Sequence, residues 1–221
     1  MPDTKLTWAG LREHLRRSAA IYLAVLAACM VLTNLLWTTT APRVPDEKRV
    51  LIYLADGYTN ASTLNDLAQT VLERTRRDDP TLEQVQFMDL MYTGSDTDYT
   101  GSILLATRLS LGEADLFLAS APTMEALVAD GACLPLDEMY KDGFMRESGL
   151  EPWYAEVTDE ETGETATFLA GFRLDGLEAL DELGAIQSEG HYLAVISNGT
   201  NIETSARAAE ILAEALREAS E

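Results

Sequence analysis

Three short stretches place turn-forming or hydroxyl-bearing residues between an apolar run and a helix-like pattern: Asp56-Gly57-Tyr58-Thr59, Thr93-Gly94-Ser95 and Ser120-Ala121-Pro122. The first backbone N–H groups of a helix have no partner inside it. Such junctions can therefore receive an anion or a carbonyl oxygen. Tyr58 and Trp153 offer flat rings on which a sugar or a peptide could stack. These residue types serve equally well as turns, caps and packing. The candidate ligand-binding residues are Asp56, Gly57, Tyr58, Thr59, Thr93, Gly94, Ser95, Ser120, Ala121 and Trp153.

Patterns for catalysis are missing from the sequence. His191 is the only histidine beyond the N-terminal apolar run, and Ser120 lies in Ala-Ser-Ala rather than in a Gly-x-Ser-x-Gly elbow. There is no glycine-rich phosphate loop and no His-Glu-x-x-His pair. The expectation is a protein that is not an enzyme and uses no cofactor or metal. The acidic stretch from Thr158 to Glu164 lacks the spaced Asp/Asn pattern of a calcium loop and reads as a solvated hairpin tip.

The elements that must hold these candidates follow from periodicity. Arg49 to Ala55 is a continuous apolar run, as expected of a strand covered on both faces. Leu64, Leu67, Ala68, Val71 and Leu72 then form one helical stripe. Val85 to Tyr92 reads as a strand, Ser95 to Leu111 as a helix, and Ala114 to Ala119 as a third strand. Pro122 opens a third helix and Gly131 stops it. This βαβαβα order predicts parallel strands with right-handed crossovers. Trp153 to Val157 and Thr165 to Phe172 read as a hairpin, Leu174 to Leu183 as a short helix, and Tyr192 to Ile196 as a strand. The form of a capping box at Thr200-Asn201-Ile202-Glu203 begins the last helix.

Ser18 to Trp37 is a run of twenty residues without a charge, about 30 Å long as a helix, which is the thickness of a bilayer core. Arg12, Arg16 and Arg17 precede it, so the N-terminus is expected in the cytoplasm and the rest outside. Three fates of the run stay open: an uncleaved anchor, a cleaved secretory signal, or a lipid anchor on Cys29, since Leu26-Ala27-Ala28-Cys29 is similar to a lipobox. The predicted layout is a basic tail over 1–17, a transmembrane helix over 18–37, a stalk over 38–48 and a domain over 49–221. The net charge is -21, and four cations against two carboxylates in the first 37 residues leave -23 for the remainder. A surface of that charge repels nucleic acid and anionic headgroups, so nucleic-acid binding is excluded. Cys29 and Cys133 cannot pair if Cys29 lies in lipid, and Cys133 reads as a small buried apolar residue.

Three passages together resemble the extracellular solute-binding proteins of ABC importers. They are Ala114 to Ser120 followed by Gly131-Ala132-Cys133-Leu134-Pro135-Leu136-Asp137, then Thr165 to Phe172, then Tyr192 to Asn198 with Asn201 and an Ala-rich helix. The resemblance implies one lobe of a periplasmic-binding-protein-like fold. Hardly any sequence lies between the hairpin and the returning strand, so the second lobe is absent or reduced. In that family the ligand is clamped between lobes, and one lobe cannot close. The expected fold is an N-terminal transmembrane helix followed by one three-layer α/β domain with a mostly parallel sheet. The expected role is weak binding of a small solute at the strand-end rim, or docking of a membrane transport protein.

Overall fold

The structure is a computed structural model, and it describes residues 8–40, 44–56, 58–92, 98–141, 151–158 and 165–220. The chain divides into two compact units, Met1–Arg43 and Val44–Glu221. The first is a single helix, α1 (Trp8–Thr40). Its Arg16–Thr38 stretch is long and apolar enough to cross a membrane. Thr38 and Thr40 return their hydroxyls to carbonyls of the preceding turn.

The second unit is an α/β domain around one sheet. Strand β1 (Arg49–Asp56) leads through a short 3-10 turn into α2 (Asn65–Thr75), and β2 (Gln84–Met91) follows. Next come α3 (Tyr99–Ser110), β3 (Leu116–Ser120), α4 (Ala121–Ala129) and the short α5 (Asp137–Lys141). The hairpin strands β4 (Pro152–Thr158) and β5 (Thr165–Arg173), α6 (Glu178–Glu182), β6 (His191–Val195) and α7 (Ile202–Ser220) complete it.

Both faces of β1 are covered, as its unbroken apolar run requires. Val50, Ile52 and Leu54 join a core with α2, α6 and α7, while Leu51, Tyr53 and Ala55 join a second core with α3 and α4. The domain is therefore three-layered. The stripe of Leu64, Ala68, Val71 and Leu72 is buried, with Leu67 partly buried beside it. On the other face Tyr53 stacks on Phe117, with ring centroids 5.5 Å apart. Ion pairs fasten α7 over the first core, from Arg74 to Glu218 at 2.6 Å and from Arg207 to Asp78 at 2.7 Å.

The sheet corrects the expectation of mostly parallel strands. Its order is β2-β1-β3-β6-β5-β4, and only the β1–β2 and β1–β3 pairs are parallel. The β3–β6, β6–β5 and β5–β4 pairs are antiparallel. The cause is the connections. Helical crossovers join β1, β2 and β3 and keep them parallel, whereas six residues join β4 to β5 and turn the chain back. β6 then enters between β3 and β5 in the opposite sense. The hairpin thus belongs to the same sheet as the other strands, and α6 to the same core.

A candidate site at the strand-end rim

The helix that follows β1 packs on one face of the sheet, and the helix that follows β3 packs on the other. Since β1 and β3 are neighbours, the carboxyl ends of these two strands form a topological switch point, where a crevice opens in α/β sheets. β1 ends there with Asp56 and β3 with Ser120. Because β6 is antiparallel, it brings its first residue, not its last, to this rim, and His191 pairs in register with Ser120. Ala55 pairs with Ala119, so Asp56, Ser120 and His191 occupy adjacent positions across three strands.

The His191 ring is buried and joins these strands. Its Nε2 lies 2.6 Å from Asp56 Oδ2 and its Nδ1 lies 3.0 Å from the Glu189 carbonyl. One ring nitrogen thus faces a backbone carbonyl and the other a carboxyl oxygen, both within hydrogen-bond distance. Both ring nitrogens are therefore engaged. Neither remains to take a proton from Ser120, although Ser, His and Asp stand side by side. Ser120 Oγ instead lies 3.4 Å from Thr123 Oγ1.

The loops around the pair are fixed by the backbone. Gly190 has φ +70° and lets the chain turn into β6. Its N–H donates to Asp175 Oδ1 at 2.7 Å, and its carbonyl accepts the Ala121 N–H at 3.2 Å. The Gly190 N–H and the Arg173 guanidinium hold the Asp175 carboxyl below its ordinary range. After β1, the Asn60 N–H donates to Ala185 O at 2.8 Å and the Ala61 N–H to Asp89 Oδ1 at 2.7 Å. Between these anchors Tyr58 is 76% exposed. Thr59 Oγ1 is shut off from solvent and has no hydrogen-bond partner among the described residues.

Of the residues expected at the site, Asp56, Ser120 and Ala121 come together, and Tyr58 and Thr59 lie on the adjoining loop. Gly57, Thr93, Gly94 and Ser95 fall outside the described residues, as does the acidic stretch 159–164. Trp153 lies on β4, four strands from β1. There it packs on Tyr192 with ring centroids 4.7 Å apart, and the Arg173 guanidinium lies 5.9 Å from the Tyr192 ring. His191 is the participant that sequence reasoning set aside. The signal that would have found it is the direction of β6, which apolar periodicity does not encode. Among the described residues no cluster of three or more His, Cys, Asp or Glu side chains could hold a metal ion. No protein-family model matches the chain, and no curated protein matches it.

Proposed function

We propose that this protein is a membrane-anchored, non-catalytic binding protein whose rim at the ends of β1 and β3 receives a small polar solute. The observation that carries this reading is the switch point itself. Asp56, Ser120 and His191 stand in register where α2 and α4 part to opposite faces. Thr59 supports it, since a buried hydroxyl without a partner costs roughly 1–3 kcal/mol unless a ligand or water completes it. The engaged nitrogens of His191 favour binding over proton transfer. The basic residues before α1's apolar stretch favour a cytoplasmic N-terminus and an extracellular domain. The resemblance to solute-binding proteins agrees with a binder, and a single lobe agrees with weak affinity. A second reading, docking of another membrane or transport component, is favoured by the exposure of Tyr58 at the crevice.

The test is calorimetry on the full chain in detergent with sugars, amino acids and oligopeptides. Saturable heat with one of these classes, lost in Tyr58→Ala and Thr59→Val, is the expected result. Thr59→Val should also raise the melting temperature of the unliganded protein, because it removes the unpartnered hydroxyl. Silence with every solute, joined by capture of a membrane protein that Tyr58→Ala abolishes, would replace the solute reading with the docking one. The mass of the mature protein separates an uncleaved anchor from cleavage with lipid on Cys29.

A further inference from the structure

The second place where the domain presents unused binding chemistry is the far edge of the sheet. Among the described residues β4 pairs only with β5. The usual devices that blunt an edge strand are lysines, internal prolines and bulges on the edge itself. β4 has no lysine, and its proline stands at the first position. The register shift opposite Trp153 and Tyr154 places the additional residue, Ala170, on β5 rather than on the edge. From Tyr154 to Thr158 the outer backbone has no hydrogen-bond partner among the described residues.

A groove of about 510 Å³ runs beside this strand, between β4 and α4. Trp153, Ala155 and Val157 come from alternate positions and face the same side of the strand. With Val128 and Ala129 of α4 they give the groove an apolar floor. Its charged lining residues among the described ones are Glu125 and Glu156. Trp153 is set in place by its packing on Tyr192 and by Gly171, which stands opposite it on β5 without a side chain. The groove thus offers what strand addition uses: free backbone for affinity and pockets at every second residue for selectivity.

We propose that an extended, Lys- or Arg-bearing segment of a partner protein adds to β4 as a further strand, its apolar side chains entering the groove beside Glu125 and its cations, at the alternate positions, meeting Glu156. Charge selects this occupant. A second copy of the chain would bring together two surfaces of the same strong negative charge and double the carboxylates in the groove, which opposes edge-to-edge pairing.

The experiment uses the full chain in detergent and a dye-labelled peptide that alternates lysine and valine, followed by fluorescence anisotropy. Three companions are measured: the same peptide with glutamate for lysine, the lysine peptide N-methylated at alternate residues, and the protein variants. Saturable binding of the lysine peptide is expected, at least 10-fold weaker for the glutamate peptide and for the N-methylated one. Glu125→Gln with Glu156→Gln should weaken it about 10-fold. Glu178→Gln with Glu182→Gln, on the opposite face, should change it less than 2-fold, and Tyr58→Ala at the rim should leave it intact. If the N-methylated peptide binds as well as its parent, or the α6 pair matters as much as the groove pair, the attraction is diffuse charge and the proposal fails. Absence of saturable binding overturns it as well.

Discussion

His191 reaches across β3 to hold Asp56, so two strands that never touch are tied by one short hydrogen bond over the end of a third. Breaking a hydrogen bond at a buried ring leaves its partner unsatisfied, which costs more than the bond itself contributes. His191→Phe should destabilise the domain by about 2 kcal/mol and Asp56→Asn by about 1 kcal/mol. The double variant should cost less than their sum, by about 1 kcal/mol of coupling. Urea denaturation followed by near-UV circular dichroism measures all three. Strict additivity would mean that the pair contributes nothing.

At the opposite end of the sheet, Asp115 accepts the Leu51 N–H at 2.8 Å while almost wholly buried. Burial pushes its carboxyl up to about 6, against a smaller downward pull from the Leu51 bond. The folded state therefore holds this proton more tightly than the unfolded chain, whose ordinary value is near 3.8. The stability it contributes is complete below about pH 4 and is lost as pH rises through 6, by up to about 3 kcal/mol. Asp115→Asn keeps an acceptor for Leu51 and removes the titration. It should flatten the stability curve between pH 4 and 6 and raise stability at pH 7.

Gly171 marks the closest approach of β5 to β6. A Cβ at this position would fall on the Leu193 carbonyl oxygen, which belongs to backbone and cannot turn aside. Gly171→Ala should cost about 3 kcal/mol through displacement of β6. Thermal unfolding reads the loss. A melting temperature unchanged by the substitution would contradict the observed packing of these strands.

Cys133 is buried in the core beneath α4, and its thiol is pushed up to about 12 by that burial. A thiol so far from ionising is a poor nucleophile. Alkylation at pH 8 should spare Cys133 in the folded protein and modify it once urea is added, as peptide mass mapping would show.

The order of strands and helices was legible because periodicity reports burial. The runs at 49–55 and 85–92 and the stripe of Leu64, Ala68, Val71 and Leu72 appear within a residue or two of their expected places. Direction was not legible, since a strand alternates in the same way whichever way it runs. The hairpin of β4 and β5 was foreseen, but the sense of β6 and the place of the hairpin in the sheet were missed, and with them the arrival of His191 at the rim and the distance of Trp153 from it. The pairing of Ser120 with His191 is a property of register, which depends on contacts between segments 70 residues apart in the chain. No local pattern carries that information.

The placement of β6 also bears on assembly. It comes last of the six strands along the chain, yet it occupies the middle of the sheet. Without it no strand joins β2-β1-β3 to the β5–β4 hairpin, and each has an unpaired inner margin. An arrested chain ending before residue 191 would leave both margins free to pair with strands of other chains. Completion of the sheet thus rests on one five-residue strand that closes two partial sheets at once.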